Sequence, residues 1–600
     1  MSTRFALLLA LALCTGRLAA QPAVSSGGIT TYANPLDLDY KYNFEQTNEG
    51  ISYRSGADPV VVRHRGRYYL FGTIANGYWV SDDLARWRHV VPSRWPFEDN
   101  VAPSAISVRD TLYLMQSATT PRPILYATDA ETGRLEFYNR WLPIPPGAVS
   151  EGRIVPAGAL PPGPWDPGMF HDQRSDRWYL YWGSSNTYPL YGVELDKARR
   201  LRYTGAVREI MRLHPDEHGW ERFGRDHRDT LRPYVEGAWM TEHRGRYYLQ
   251  YGAPGTEFNA YANGTYLADD PLGPFTYAPY NPVAYKPGGF VQGAGHGNTF
   301  EDAHGNFWNT GTPWIAVNWN FERRIGLHPA GFDADGQMFA STRFGDFPHR
   351  APTAKWTSPD ELFTGWMLLS YRKPATATSQ RDTFAVARIT DEDPRTFWVA
   401  AANRPGEGVT VDLGGEREVR AVQVNFTDYK SGLFASDSTV YTQFRLHASR
   451  DGRAWTLVGD LTRERRDRPN AYVELAAPIR ARYVRYEHVY VGAANLAISD
   501  VRVFGNAGGR PPAAPQNVTA RRDADPRNAF VSWRPVPGAV GYNVRWGIAP
   551  GKLYLTYQVF ADRGTTLEVR ALNVGVGYHF AVEAFDESGV SPLSRVVPVP

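Results

Sequence analysis

Three acidic residues precede three segments of closely similar pattern. In each segment an apolar run is followed by a polar turn and then by an aromatic run, Tyr-Tyr-Leu at 68–70 and 247–249 and Trp-Tyr-Leu at 178–180. This succession is typical of a β-hairpin. The acid stands at the start of the hairpin in all three cases, as Asp58, Asp166 and Glu236.

Each acid also has an ordinary structural interpretation. Asp58 and Asp166 each precede a proline, a dipeptide frequent in turns, and Glu236 before a glycine suits a solvated loop. Carboxyl groups that converge on one place raise one another's pKa, which is unfavourable unless the chemistry uses it. Hydrolysis of a glycosidic bond does use it, because one carboxyl group must be protonated and another ionised. The repetition in three equivalent hairpins therefore favours a catalytic interpretation.

The elements that would bring these acids together are short strands. Between residues 34 and 370, strands of four to seven residues alternate with turns rich in Gly, Pro, Asp and Asn. Five hairpins can be read, at residues 59–73, 105–117, 167–183, 238–252 and 297–310. Radial repetition of such units predicts a five-bladed β-propeller, in which the first strand of every blade starts at a common axis.

Two further all-β segments follow the predicted propeller. A linker begins near Lys373 and leads into alternating apolar and polar residues over 376–506, which predict half-buried antiparallel strands. A second linker, rich in Gly and Pro, precedes short strands that predict a small sandwich over 512–600. The fold class predicted for the chain is thus all-β, with a propeller catalytic domain over 34–370 and two β-sandwiches.

The N-terminus predicts export. Residues 1–20 contain Arg4, an apolar stretch and a Leu-Ala-Ala end, as in a secretory signal peptide, and the stretch is too short for a membrane anchor. The only cysteine, Cys14, lies inside it, and Leu13 before it argues against a lipoprotein. With a net charge of +3, nothing indicates a nucleic-acid or membrane partner. We predict a secreted or periplasmic monomer that acts on polysaccharide or oligosaccharide.

Residues from about Asn34 to Pro348 resemble glycoside hydrolases of family 43, which are five-bladed propellers. The resemblance is carried by Ala-Asp-Pro at 57–59, Val-Ala-Pro at 101–103, Asp-Pro with a later Phe at 166–170, Val-Glu-Gly at 235–237 and Gly-His-Gly at 295–297. It implies that Asp58 is the general base, that Asp166 orients the acid and raises its pKa, and that Glu236 is the general acid. It also implies inversion of the anomeric configuration, for which base and acid lie about 6.5–9.5 Å apart.

The resemblance also suggests substrate and cation contacts. His296 matches a histidine that often contacts a cation or water near the cavity floor, although a lone histidine is more often structural. We further predict sugar contacts by Trp79, Tyr188, Trp239 and Arg324, each of which could equally be a packed blade residue. The loop at 257–264 departs from the family pattern, so the substrate stays open between arabinofuranosyl, xylosyl and galactofuranosyl groups.

The two later segments resemble accessory modules. Residues 376–506 are similar to discoidin-like (coagulation factor 5/8 type C) domains, many of which bind carbohydrate and some of which hold a structural calcium ion. Residues 512–600 resemble a fibronectin type III domain, for which we expect a spacer role. No cofactor is required by the predicted chemistry, but the resemblances allow a structural Ca²⁺ in the propeller cavity, at His296, or in the discoidin-like domain.

Two other functions fit the same sequence. The acids could bind sugar or calcium in a non-catalytic propeller lectin, although binding alone would not require both Asp58 and Glu236. A propeller lyase or transglycosidase is the other alternative, and unsaturated or retained products would reveal it.

Overall fold

The computed structural model describes residues 30–43, 52–95, 101–433 and 440–600, and the predicted signal peptide with Cys14 lies outside them. The described residues are organised in strands, which confirms the all-β fold class. Short 3₁₀ helices occur at Ala130–Thr132, Gly219–Glu221, Arg225–His227, Pro359–Leu362, Val386–Thr390 and Ala561–Arg563. None of the helices in these ranges has the length and apolarity needed to cross a bilayer.

Five antiparallel sheets form the predicted propeller, and each is a blade whose strands follow one another outward in chain order. Blade 1 contains Ala57–His64, Arg67–Thr73, Tyr78–Ser81 and Arg88–Val90. Blade 2 contains Ser104–Val108, Thr111–Met115, Arg122–Ala127 and Glu136–Leu142. Blade 3 contains Gly168–Asp172, Arg177–Trp182, Leu190–Asp196 and Arg202–Met211. Blade 4 contains Glu236–His243, Arg246–Ala253, Ala262–Ala268 and Thr276–Tyr277, with Ala284–Tyr285 added beside the third strand. Blade 5 contains Thr299–Glu301, Phe307–Gly311, Gly326–Phe332 and Met338–Ala340.

The blades close into a ring. The innermost strand of each blade contacts that of the next, and blade 5 returns to blade 1. Thr31–Tyr32 pairs with His349–Arg350, and a hairpin of Lys41–Asn43 and Tyr53–Ser55 precedes blade 1. The start of every innermost strand is therefore held near one axis.

The aromatic strands supply the packing between blades. In Arg67–Thr73 the side chains of Tyr68 and Leu70 join the core shared with blade 5, and those of Tyr69 and Phe71 join the core shared with blade 2. Because successive side chains of a strand point to opposite faces, a strand between two neighbours is apolar on both. The high aromatic content is therefore explained in large part by blade-to-blade packing.

The second domain is an eight-stranded antiparallel sheet that folds over an apolar core. Its strands are Met367–Leu368, Ala375–Ala377, Trp398–Val399, Gly408–Phe426, Thr442–Ser449, Thr456–Asp460, Asn470–Val491 and Ala497–Asn506. Two sheets form the third domain. The first contains Thr519–Arg522, Ala529–Ser532 and Thr566–Val569, and the second contains Gly541–Gly547, Leu555–Phe560, Tyr578–Asp586, Gly589–Val590 and Val597–Val599.

Buried ion pairs join the second domain to the propeller. The guanidinium group of Arg54 lies 2.7 Å from Asp428 and 2.8 Å from Asp467. Arg502 of the second domain lies 3.9 Å from the carboxylate of Asp346 in the propeller and donates to the carbonyl oxygen of the same residue at 2.6 Å. Charges withdrawn from water in this way are tolerated only in a fixed geometry, so the two domains are held in one orientation.

The third domain also packs on the propeller, unlike the spacer that we expected. Trp220 and Tyr285 of the propeller share a core with Val531 and Trp546 of the third domain. A side chain at Gly219 would place Cβ 2.5 Å from the carbonyl oxygen of Arg570, so the two backbones meet directly. The contact is thus a packed interface and not a flexible link.

Candidate active site

One backbone feature recurs at the start of the innermost strand of every blade. A residue with positive φ stands there in blades 1 to 5: Asp58 (51°), Ala102 (41°), Asp166 (46°), Gly237 (64°) and His296 (44°). A left-handed backbone costs about 1–2 kcal/mol for a residue other than glycine. Such strain is common where the surrounding structure fixes a functional group, and here it turns each strand start toward the same cavity.

Asp58 is buried in a set of polar contacts. Its Oδ2 accepts a hydrogen bond from Thr73 Oγ1 at 2.5 Å, and its backbone N–H donates to Thr312 Oγ1 at 3.0 Å. Its Oδ1 lies 3.1 Å from His296 Nδ1 and 3.8 Å from a guanidinium nitrogen of Arg323. Both carboxyl oxygens of Asp58 are thus held by neighbouring side chains, which fixes the orientation of the group in the cavity.

Asp166 lies beside the same histidine. Ser117 Oγ accepts from its backbone N–H at 2.8 Å and donates to its Oδ1 at 3.2 Å, and His296 Nδ1 is 3.8 Å from Oδ2. Burial raises the pKa of Asp166 to about 7; His296 opposes the shift, and the charges of Glu236 and Asp58 add to it. The carboxyl group to which the resemblance assigns a tuning role therefore changes its charge near neutral pH.

Glu236 is held at both of its carboxyl oxygens. Ser184 Oγ donates to Oε2 at 3.0 Å, and Tyr261 donates its hydroxyl hydrogen to Oε1. The pairing of Glu236–His243 with Arg246–Ala253 is irregular between Glu236 and Trp239, which is where Gly237 takes its positive φ. This bulge sets the direction of the acid at the start of the strand.

His296 lies among the three carboxyl groups. Burial alone would lower its pKa, but the negative charges of Asp58, Asp166 and Glu236 outweigh burial and raise it. Glycines make room for the ring, since a Cβ at Gly237 would lie 2.5 Å from its Cδ2. The raised pKa favours a positive charge on the imidazole at the centre of the cluster.

The cavity offers a limited donor set for the predicted calcium ion. Ligand atoms of Asp166, Glu236 and His296 lie within 4.8 Å of one another. Calcium takes about six to eight oxygen ligands, whereas this set contributes two carboxylates and one imidazole nitrogen. It is poorer in oxygen than calcium requires, so water would have to supply most of the ligands.

The structure places the other predicted sugar contacts in packing positions. Trp79 is fully buried between blades 1 and 5 and donates from Nε1 to Asp39 at 2.7 Å. Tyr188 packs against the core between blades 2 and 3. Trp239 packs against the core between blades 1 and 2 and donates to the carbonyl oxygen of Thr299 at 3.2 Å.

Arg324 points to the domain interface, where it donates to the carbonyl oxygen of Arg54 at 2.6 Å and to Asn470 at 3.1 Å. The arginine beside Asp58 is instead its neighbour, Arg323. Adjacent residues of an extended segment point to opposite sides, so only one of the two arginines can face the cavity. The sequence shows the pair but not which member faces inward.

Sequence reasoning also missed the residues whose hydroxyl groups surround the acids. These are Thr73, Ser117, Ser184, Tyr261 and Thr312. Single hydroxyl groups in turns carry no pattern that separates a catalytic neighbour from an ordinary turn residue, so only the structure reveals them.

Comparison with known families identifies the family to which the propeller domain belongs. The sequence model of glycosyl hydrolases family 43 matches residues 49–338. The propeller domain belongs to family 43. This family 43 domain is a glycosidase that hydrolyses O-glycosyl bonds, so the hydrolase prediction is confirmed over the lectin alternative. The F5/8 type C domain matches residues 374–496 and the fibronectin type III domain matches 513–600, as the two resemblances predict.

Solved structures similar to the chain include other family 43 proteins. A xylan beta-1,4-xylosidase from Bacillus halodurans C-125 is 13% identical with a TM-score of 0.38, covering 95% of this chain and 96% of its own. An exo-1,5-alpha-L-arabinanase from a bovine ruminal metagenomic library is 17% identical with a TM-score of 0.35, covering 48% and 97%. A thermostable family-43 glycoside hydrolase is 20% identical with a TM-score of 0.40, covering 54% and 100%. No curated protein is significantly similar in sequence.

Proposed function

We propose that the protein is an exported, inverting glycosidase that removes terminal or side-chain arabinofuranosyl, xylosyl or galactofuranosyl groups from polysaccharide. The observation that carries this proposal is the convergence of Asp58, Asp166 and Glu236 around His296, each with different hydrogen-bond partners. A monomer and a secreted or periplasmic location complete the proposal.

In the proposed reaction, Asp58 is the base. Its carboxyl group contacts His296, Arg323 and Thr73, and in the reaction it accepts a proton from water. The water oxygen forms a bond to the anomeric carbon as the bond to the leaving oxygen breaks. Attack from the face opposite the leaving group inverts the configuration.

Glu236 is the proposed acid. It gives its proton to the leaving oxygen, while the hydroxyl of Tyr261 stays bonded to Oε1 and fixes the plane of the carboxyl group. The cycle closes when Asp58 loses the proton it gained from water and Glu236 regains one from solvent. Asp166 adjusts the negative charge of the cavity through its own protonation near neutral pH.

A panel of nitrophenyl pentosides and furanosides tests this function. We expect the full-length chain to cleave at least one, and Glu236→Gln to lower kcat by about 10²–10⁴-fold, the usual contribution of a general acid. The loss should be much smaller for dinitrophenyl substrates, whose leaving group needs no proton. Glu242→Gln, at the far end of the same strand, is the matched control and should retain activity.

The anomer of the first product tests the stereochemistry. Proton NMR during early turnover should show the configuration opposite to that of the substrate. A retained anomer, an unsaturated product, or equal activity of wild type and Glu236→Gln would contradict the proposal.

We also propose that the structural calcium ion belongs to the second domain. Asp500 is fully buried there, and neither of its carboxyl oxygens has a hydrogen-bond partner among the described residues. Burial and the nearby charges of Glu392 and Asp391 raise the pKa of Asp500. A buried carboxylate without a partner is unfavourable, and its two unpartnered oxygens are ligand atoms of the kind that a hard cation takes.

Removal of calcium tests that assignment. A chelator should lower the Tm of the wild-type chain, and added Ca²⁺ should restore it, because an ion that binds only the folded state stabilises it. Asp500→Asn should remove the response to chelator. An unchanged wild-type Tm would contradict the calcium site.

A further inference from the structure

A hairpin of blade 5 forms one wall of the catalytic cavity. It joins strand Phe307–Gly311 to strand Gly326–Phe332 and contains two residues that contact Asp58, Thr312 near one end and Arg323 near the other. Between them, Trp314 pairs with Arg323 in an isolated antiparallel bridge. The backbone position of Arg323 is therefore tied to that of Trp314.

The ring of Trp314 is covered by arginine side chains from two domains. The guanidinium carbon of Arg395, in the second domain, lies 4.7 Å from the ring centroid, and that of Arg225, in the propeller, lies 5.6 Å from it. Asp393 lies 2.9 Å from Arg395 and orients it. Trp314 is only 8% exposed, and both arginines lie against its ring.

Arg323 itself has few direct supports. Its NH1 donates to Thr256 Oγ1 at 3.3 Å, its guanidinium carbon lies 5.3 Å from the Phe321 ring, and its Nε has no hydrogen-bond partner among the described residues. Phe321 is itself 41% exposed at the end of the hairpin. The position of Arg323 must therefore depend strongly on the hairpin backbone.

We propose that Arg395 of the second domain is a positioning residue for the glycosidase. It holds Trp314, and the Trp314–Arg323 bridge in turn keeps the guanidinium group of Arg323 against Asp58. The second domain thus completes the wall of the catalytic cavity, in addition to any role in binding carbohydrate. The inference rests on the proposed function, because it assigns Asp58 to the reaction.

The magnitude of the contact is sufficient for this role. A guanidinium group stacked on tryptophan is attracted by the negative face of the ring, and the attraction is stronger where the pair is withdrawn from water. A displacement of about 1 Å at a catalytic group can lower a rate by about 100-fold. The buried contacts of Arg54 with Asp428 and of Arg502 with Asp346 fix the two domains relative to each other, so Arg395 is presented to Trp314 in one place.

Kinetics of Arg395 variants in the full-length chain test the inference on the nitrophenyl glycoside that the wild type cleaves. We expect Arg395→Ala to lower kcat by about 5- to 30-fold with a smaller change in KM, which corresponds to about 1–2 kcal/mol. Arg395→Lys should recover part of the loss, because an ammonium group keeps the charge but not the planar stack. Arg388→Ala removes an arginine 6.0 Å from the Phe384 ring of the same domain and is the matched control.

A double-mutant cycle separates positioning from general destabilisation. If Arg395 acts through Arg323, Arg395→Ala should have little further effect on kcat when Arg323 is already alanine. If Arg395→Ala lowers the Tm, Trp314→Phe tests the same contact from its other partner, because it changes the ring on which Arg395 stacks. Wild-type kcat in Arg395→Ala, or fully additive losses in the cycle, would overturn the inference and leave the proposed function intact. Absence of any hydrolysis by the wild type would instead overturn the proposed function.

Discussion

Within the cavity, one imidazole ring lies among three carboxyl groups, and Asp166 is the carboxyl group whose charge responds to pH near neutrality. Its pKa is raised to about 7 by burial, with His296 opposing and Glu236 and Asp58 adding to the shift. An unfolded chain loses this proton near pH 4. Between these values the folded state binds more protons than the unfolded state, so this group lowers stability as pH rises through that window.

Asp166→Asn should therefore stabilise the fold at high pH, because it removes the buried charge. It should also abolish activity, because asparagine cannot carry the charge that the proposed reaction assigns to Asp166. Relative to wild type, we expect the free energy of unfolding of the variant to increase between pH 5 and pH 8 by on the order of 1–4 kcal/mol. Urea unfolding at the two pH values measures the difference. Asp176→Asn, at the exposed turn of the same blade, should show no such gain, and an equal pH response of both variants would contradict the prediction.

The three acids that converge in the cavity were predictable because their hairpins repeat. Asp58, Asp166 and Glu236 stand out through the aromatic return strands behind them, whereas Arg323 does not stand out from Arg324. Trp79 and Trp239 were predicted as sugar contacts, but both pack between blades. An aromatic residue at a sugar site and one between blades look alike in sequence, because the strands of this propeller are packed on both faces.

At the scale of the strand, a residue with left-handed backbone conformation at the start of each blade turns the neighbouring side chains toward the cavity. It is glycine only in blade 4, where Gly237 has φ of 64° and its missing Cβ leaves room for His296. In blade 2 it is Ala102, whose N–H donates to Thr73 Oγ1 at 2.8 Å. Thr73 also binds Asp58, so it links the starts of two blades.

Exchanging alanine and glycine at these two places should have opposite effects on stability. Gly237→Ala should lower the free energy of unfolding by about 2 kcal/mol or more, through backbone strain and the clash with His296, and should impair activity. Ala102→Gly should raise it by about 0.5–1 kcal/mol, because glycine adopts the left-handed region without strain. Thermal unfolding and kcat measure both, and a destabilised Ala102→Gly would contradict this account.

The sequence predicted the inner strands better than the outer ones. The hairpins read at 59–73 and 167–183 coincide with the two innermost strands of blades 1 and 3. Outer strands such as Arg88–Val90 and Thr276–Tyr277 span only three and two residues. Alternation cannot be detected over so few residues, so their existence follows from closure of the blade and not from local pattern.

Across the whole molecule, the third domain is a structural support of the propeller. Asn573 is buried at their boundary, where its side-chain amide donates to the carbonyl oxygens of Pro279 and Asn281 at 3.1 and 3.0 Å. Its side-chain oxygen accepts a hydrogen bond from the hydroxyl of Tyr277 at 2.9 Å. Such contacts involve polar residues that look like ordinary surface in the sequence, which is why a spacer was expected.

Asn573→Ala should therefore destabilise the propeller although it lies in another domain. Three polar groups at the domain boundary would lose a partner, and we expect a loss of about 2–4 kcal/mol in the free energy of unfolding. Calorimetry should also show one cooperative transition for the three domains. Gln516→Ala, at an exposed position of the same domain, is the control; a wild-type Tm for Asn573→Ala would argue for independent domains.

The five left-handed positions around the cavity share one backbone conformation although they carry different residues. Four of the five positions present or adjoin an ionisable group, and the fifth, Ala102, has the same conformation without one. Aspartate and asparagine tolerate this backbone better than other side chains. Substitution of Ala102 by aspartate or asparagine would therefore add a polar group beside the cavity with the main chain already in the required conformation.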